Sequence, residues 1–436
     1  MTATTATGET TRADRRVLVS SFIGSVVEWY DFLLYGTASA LVFNVLFFPQ
    51  LDPAVGTIAS FGTLAVGYAA RPLGGILFGH FGDRLGRKQM LVLSILLMGG
   101  ATVLIGVLPT YGTIGVWAPI LLVALRLLQG FAVGGEWGGA VLMTLEHART
   151  GRRGLWSSVA QLGAPAGLLL STGVFAAFAA LPDEQFLSWG WRVPFLFTIV
   201  LIGVGLWIRL RVTESPVFTQ AVEQKQSQAR VPLVEVLRRQ PKDLLLAALI
   251  GIGPFAANSI LITFLVSYAA QIGHSRSTAL NGLMVASAAS MVFLPLAAAL
   301  SDRIGRRPVY ITGAVLLGFN AFLLFGLVNT GSAALLIVGF AVSLALHALM
   351  YGPMGAFLAE LFGANRRYTG ASLGYQIASV LGGGLAPLIA TSILAASGGA
   401  PHSFFVAVYM LGTCLLAAVA AFFARETHRR DLAVDS

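Results

Sequence analysis

Residues 79–88 read GHFGDRLGRK, and residues 299–308 read ALSDRIGRRP. Asp83 and Asp302 stand 219 positions apart, about half of a 436-residue chain. A second pair keeps nearly the same register. Glu146 precedes Arg153 by seven residues and Glu360 precedes Arg367 by seven, an offset of 214. Acidic–basic loops recurring at equivalent places in each half indicate a duplicated unit.

The sequence around these loops is apolar. Hydrophobic residues make up 56% and charged residues 11%, with a mean hydropathy of +0.80. A soluble domain carries about 25% charged residues. Too few polar side chains remain to cover a water-facing surface, which excludes disorder, coiled coils, secreted disulfide scaffolds and ordinary cytosolic enzymes. The 50 glycines follow no collagen period. Lipid requires every backbone polar group to be bonded internally, so the composition predicts an all-α polytopic membrane protein. The lone cysteine, Cys414, permits neither an internal disulfide nor a thiolate cluster, and no metal site is expected.

Apolar stretches of roughly 20 residues bracket twelve spans: 17–43, 56–81, 89–109, 115–145, 155–181, 189–208, 243–270, 279–300, 309–328, 333–358, 369–396 and 402–424. Twelve spans put both termini on one side. Placing that side in the cytoplasm puts 24 of the 28 basic residues there and leaves only Arg276 in an outer loop. This positive-inside bias accounts for the net charge of +9 without a nucleic-acid partner. The expected organisation is a cytoplasmic tail (1–16), a six-helix bundle (17–208), a cytoplasmic linker (209–242), a second six-helix bundle (243–424) and a second tail (425–436). Parallel repeats of this kind place a solute site at the midplane between the halves.

The two loops resemble the G-x-x-x-D-R-x-G-R-R/K hallmark of the major facilitator superfamily. The first copy matches at Gly79, Asp83, Arg84, Gly86, Arg87 and Lys88; the second has Ala298 at the leading glycine. GSVVEWYDFLLYG (24–36), RLLQGFAVGGEWGGA (126–140), ARPLGG (70–75), WRVPF (191–195) and RYTG (367–370) are similar to signatures of the metabolite:H⁺ symporter family. That resemblance implies two six-helix bundles, alternating access and proton-coupled uptake of a small carboxylate or a zwitterion such as proline or betaine. It also implies a prokaryotic plasma membrane, with a monomer expected.

Ionisable residues in mid-membrane cost at least ~2.5–3.5 kcal/mol each on insertion scales, so each needs a reason. Glu28 and Asp31 lie three apart and share a helix face with Gly24 and Tyr35. Two carboxylates that close resist ionising together in a low dielectric, a property that a proton carrier needs. A permanent ion pair with a neighbouring arginine is the alternative, and the family signature favours Asp31 for coupling. Arg126 either faces those carboxylates or compensates charge, and Glu136, ten residues deeper, is a proton relay or a buried pair. Arg71 lies ~18 Å from the Asp83 loop by helix rise. With Arg192 and Arg126 it offers a fixed fork suited to a carboxylate; for Arg192, snorkelling beside Trp189 and Trp191 competes. Tyr35 is a further substrate candidate. The second half has no mid-span charge; the resemblance adds Asn258, Tyr375 and Gln376 as substrate contacts, and His347 reads as a core histidine.

The resemblance assigns gating, by latching the cytoplasmic side, to Asp83, Arg84, Arg87, Glu146 and Arg153, and to Asp302, Arg306, Glu360 and Arg367. Walker, H-E-x-x-H and Cys/His metal motifs are missing, so no enzyme and no cofactor are expected and energy must come from an ion gradient, which the resemblance implies is one of protons. A zwitterion symporter remains open. So does a drug:H⁺ antiporter, although GAPAG (163–167) matches its glycine–proline motif only in part. A static pore has no use for two equivalent latches.

Overall fold

The computed structural model of the chain describes residues 12–85, 87–134, 137–146, 148, 151–211, 232–363 and 366–430. Among these there is no β-strand. The long helices are α1 (Arg12–Ala38), α2 (Pro53–Leu85), α3 (Arg87–Val107), α4 (Trp117–Val133) and α5 (Trp137–Glu146). They continue as α6 (Arg153–Ala179), α7 (Val193–Arg211), α8 (Pro241–Ile272), α9 (Arg276–Ile304) and α10 (Arg306–Asn329). The last are α11 (Ala333–Glu360), α12 (Arg367–Ala396) and α13 (Phe404–Phe423). Nine helices among the described residues are long and apolar enough to cross a membrane, against the twelve spans expected. The other three expected spans, 17–43, 89–109 and 115–145, each include residues that, or whose side chains, lie outside the described set. The expected linker 209–242 lies largely outside the described residues, but its end folds as a short helix, Pro232–Arg239, with Val236 buried.

The distribution of side chains is the reverse of that in a soluble protein. Leu73, Trp117, Phe293 and Phe423 stand at the surface, whereas Asp31, Arg71 and Arg126 are buried. Lipid as solvent explains both halves of that pattern.

Small residues set the helix spacing. A Cβ on Gly130 would collide with the Gly67 carbonyl, and one on Gly134 with the Arg71 carbonyl, so α4 lies backbone-to-backbone on α2. Gly163 and Gly167 of the GAPAG stretch do the same for α6, against Ser25 and Tyr30 of α1. Pro254 has no N–H to offer the Ile250 carbonyl one turn earlier; the Tyr310 hydroxyl donates to that carbonyl instead.

The duplication reaches into the helix irregularities. A π-helical turn, Ser39–Phe43, follows α1, and another, Ile260–Phe264, interrupts α8 at 221 residues' distance, close to the spacing of Asp83 and Asp302. A third, Ser379–Gly384, interrupts α12. Such turns expose backbone and recur at functional sites. Here they lie where the halves touch: a Cβ on Gly36 would come 2.9 Å from Thr263 Oγ1, and one on Gly383 2.8 Å from the Tyr68 ring.

Candidate functional site

The two halves of the chain meet along α1, α2, α5 and α6 on one side and α8, α9, α11 and α12 on the other. Between them runs a narrow, nearly closed cleft with about 20 Å³ of free space. The first half contributes Trp29, Leu33, Pro165 and Leu168; the second contributes Phe255, Asn258, Ser287, Ser290, His347 and Tyr351. Rings and aliphatic chains form the walls, with hydroxyls and one amide on the second-half side. Such a lining suits a small molecule with one apolar face and several hydrogen-bonding groups. His347 packs on the Tyr351 ring (5.4 Å between centroids) and donates from Nε2 to the Pro254 carbonyl (3.0 Å), so the core histidine is also part of the wall.

Arg71 and Arg126 are held among aromatic faces. The Arg71 guanidinium carbon lies 3.9 Å from the Phe32 ring centre, 4.6 Å from that of Tyr68 and 5.9 Å from that of Trp29. That of Arg126 lies 4.1 Å from both Phe32 and Tyr35. Arg126 Nη1 donates to Gln129 Oε1 (3.1 Å), and Gln129 Nε2 donates to Thr102 Oγ1 (2.7 Å). Arg126 Nε and Nη2, and Arg71 Nε, have no hydrogen-bond partner. A cation–π contact is worth about 0.5–2 kcal/mol, less than the cost of a mid-membrane cation. The aromatic contacts thus offset only part of that cost.

The span-one carboxylates part company. Asp31 is fully buried within the first half, where Oδ1 accepts from the Thr198 hydroxyl on α7 (2.7 Å) and Oδ2 has no partner. Glu28 instead bears electrostatically on the Tyr351 and Tyr375 hydroxyls of the second half. Three residues of helix leave about 60° between two side chains, enough to turn one inward and the other to the interface. The expectation that both share a face as a close pair is corrected on this point. So is the facing of Arg126 toward them: among the described residues no ion pair joins Arg126 to Asp31, because Arg126 lies against ring faces.

The remaining candidates separate by position. The Tyr35 hydroxyl donates to Thr63 Oγ1 (2.6 Å) beneath Arg126. Asn258 lines the cleft. Tyr375 stacks on Trp137 across the interface (3.6 Å, 13°), and Gln376 Nε2 donates to the Gly134 carbonyl left open where α4 ends (2.9 Å). Arg192 is corrected. Its Nη1 donates to the Gly106 and Leu108 carbonyls (3.0 and 2.7 Å) and its guanidinium covers Trp191. It caps the C-terminal end of α3 and does not line the cleft. Glu136 lies outside the described residues, as do the side chains of Asp83, Arg84, Arg87 and Glu146.

At the end holding the C-terminal segment, Asp302, Arg306 and Glu360, three of the residues expected to gate, converge. Asp302 accepts from the backbone N–H groups of Gly154 (2.8 Å) and Leu155 (2.9 Å), capping first-half helix α6, which has no side-chain cap of its own. A Cβ on Gly154 would press on Ala298 O and Asp302, so this glycine supplies the close approach that Ala298 gives up in the second loop. Arg306 pairs with Asp302 (2.7 Å) and with the buried Glu360 (3.2 Å). Arg153 donates to the Arg430 carbonyl (2.6 Å), while Arg430 donates to the carbonyls of Glu360 and Leu361. Arg367 is buried at the start of α12. Glu426 caps α10 through the N–H groups of Arg306 and Arg307. Burial pushes the Glu426 carboxyl up, but those N–H groups and His428 outweigh it and hold the group below the usual carboxylate range. At the opposite end Arg276 pairs with the exposed Asp183 (3.0 Å), a contact worth at most about 1 kcal/mol.

Several contributors escaped the sequence reading: Phe32, Tyr68, Thr198, Trp137 and Tyr351. Trp29, Phe32 and Trp137 lie inside the quoted signatures, yet a ring in an apolar run carries no mark that separates a cleft wall from core.

The "Sugar (and other) transporter" family model matches residues 17–244, and the "Major Facilitator Superfamily" model matches residues 255–434. The shikimate transporter of Escherichia coli (strain K12) is 46% identical over 420 residues, covering 95% of this chain and 95% of that protein. The proline/betaine transporter of the same strain is 32% identical over 428 residues, covering 96% of this chain and 85% of that one. The fold is shared with the xylose transporter XylE from E. coli in a partially occluded inward-open conformation. That match has a TM-score of 0.76 at 18% identity, covering 97% of this chain and 100% of the other. With a transporter-family model over more than half its length and a close relative along nearly all of it, this chain belongs to the major facilitator superfamily and is a membrane transporter, not an enzyme.

Proposed function

We propose that this transporter is a proton-coupled symporter that takes up a small organic carboxylate by alternating access. Two bundles, 17–208 and 243–424, rock about the cleft, with both termini cytoplasmic, in the plasma membrane of a prokaryote, as a monomer. The observation that carries the reading is Arg71. It is a buried guanidinium with an unpartnered Nε–H, flanked by the cleft-lining Trp29. A carboxylate matches such a fork in charge and geometry.

Shikimate, for which the 46% identical relative is named, is a hydroxylated ring carboxylate. Its hydroxyls would meet Asn258, Ser287 and Ser290, and its ring face the aromatic walls. A zwitterionic osmolyte is the second reading, since its ammonium would seek aromatic faces and the cleft offers the rings of Trp29, Phe255 and Tyr351. The drug-antiporter alternative rests on GAPAG alone, whose Gly163 and Gly167 pack against α1.

Asp31 is the residue proposed to carry the proton, with Glu28 and Glu136 as further carboxylates of the pathway. An isolated, buried acid with one free oxygen is costly as an anion, and protonation removes that cost before the halves rock. Reconstituted liposomes should accumulate labelled shikimate, and exceed proline and betaine, only under an inward proton gradient. Accumulation of betaine but no carboxylate would replace this reading with the osmolyte one.

A further inference from the structure

The cleft ends against the rings of Tyr351 and Phe255. Next to them stands a group of polar atoms that the protein does not satisfy. The Tyr351 and Tyr375 hydroxyls and the Trp137 indole N–H are buried, and none has a hydrogen-bond partner. They belong together. Trp137 and Tyr375 are stacked at 3.6 Å, Phe255 packs edge-on against Tyr375 at 4.8 Å, and the Tyr375 and Tyr351 hydroxyls are neighbours. Arg71 and the Glu28 carboxylate both bear electrostatically on the two hydroxyls. Buried donors left unmade are expensive, and a native structure rarely keeps several in one place without a ligand.

The group draws on both halves, with Trp137 on α5 and Arg71 on α2, and Tyr351 on α11 and Tyr375 on α12. An indole N–H and a guanidinium N–H can only donate, and the phenols can donate as well. A ligand that satisfies all of them must be rich in acceptors.

We propose that Trp137, Tyr351 and Tyr375 form, with Arg71, a donor subsite that receives the substrate's carboxylate and ties the two halves together around it. The inference rests on the carboxylate reading above and adds a role for three residues that touch the anion. It makes the carboxylate, and no other part of the molecule, the group that draws α5 onto α11 and α12.

The test uses full-length protein in liposomes, labelled shikimate, and its uncharged methyl ester as competitor. Trp137→Phe and Tyr375→Phe keep the stacked rings and delete only the donor; Tyr351→Phe is a third variant should either fail to fold, judged by its melting temperature. Each loses a charge-assisted hydrogen bond, so KM for shikimate should rise roughly tenfold or more. Competition by the methyl ester should change less than about twofold. Unchanged KM in the folded variants, while the wild type transports shikimate, overturns the subsite alone. Equal losses for acid and ester overturn it too, because the rings would then act through shape. No transport of any carboxylate by the wild type removes the functional reading and this inference with it.

Discussion

At mid-depth the first half of the molecule buries Glu28, Asp31, Arg71 and Arg126, whereas the second half offers Asn258, Ser287, Ser290, His347, Tyr351 and Tyr375. The two halves repeat one another in their loops and in the π-turns at Ser39 and Ile260, yet they do not repeat their chemistry. Charge that could answer a gradient sits in one half, and neutral hydrogen-bonding groups that could read a solute sit in the other. At the end holding the C-terminal segment, the second half contributes Asp302, Arg306 and Glu360 as a buried ionic knot and caps a helix of the first. Under the proposed function, coupling then falls to the first half and recognition to the second.

The largest effect expected from that division falls on Asp31. Asp31→Asn should abolish proton-driven accumulation of shikimate and leave counterflow exchange intact. Full accumulation would remove Asp31 from coupling and point to Glu28 or Glu136. Next is Arg71. Arg71→Lys replaces a fork with a point charge, and losing a buried charge-assisted pair costs ~2–5 kcal/mol, so affinity measured by binding should fall more than tenfold. Unchanged affinity in both Arg71→Lys and Arg71→Gln would make Arg71 a structural residue and weaken the contrast between the halves.

A smaller effect is expected at the latch. Asp302→Asn keeps one acceptor for α6 but loses the ion pair with Arg306. A loss of about 1.4 kcal/mol moves the ratio of open to closed tenfold. Spin labels on the loops before α6 and α10 should report a longer distance population, with intrinsic substrate affinity on a locked state unaltered. An unchanged distance distribution would leave Asp302 as a helix cap only. Smallest is the pH response of Glu426. Its carboxyl is held low in the folded protein, so the stability it adds is present above the ordinary carboxylate range near ~4.3 and is lost as pH falls through the folded value. The melting temperature should therefore drop on acidification below about pH 5, and by less in Glu426→Gln. Parallel curves would show that the cap on α10 adds nothing.

Much of this was legible from the residues. Membrane class and duplication follow from composition and loop spacing, because those signals are local and periodic, whereas only the family resemblance grouped Asp302, Arg306 and Glu360. The neighbours of each buried charge were not legible. Spacing on α1 suggested a Glu28–Asp31 pair, but only tertiary packing decides that Asp31 meets Thr198 on α7. Arg192 read as a cleft residue because depth can be counted along a helix, whereas facing a carbonyl cannot. Trp137 and Tyr351 were invisible for the reason that makes them useful: an aromatic ring belongs equally well in a core and in a wall.

The division between the halves is tested most directly by counting protons taken up when shikimate binds to purified protein, read with a pH indicator in weak buffer. Wild type and Asp302→Asn should take up protons equally on binding, and Asp31→Asn should take up none. Proton uptake that survives in Asp31→Asn, or that is lost in Asp302→Asn, would contradict the assignment of coupling to the first half.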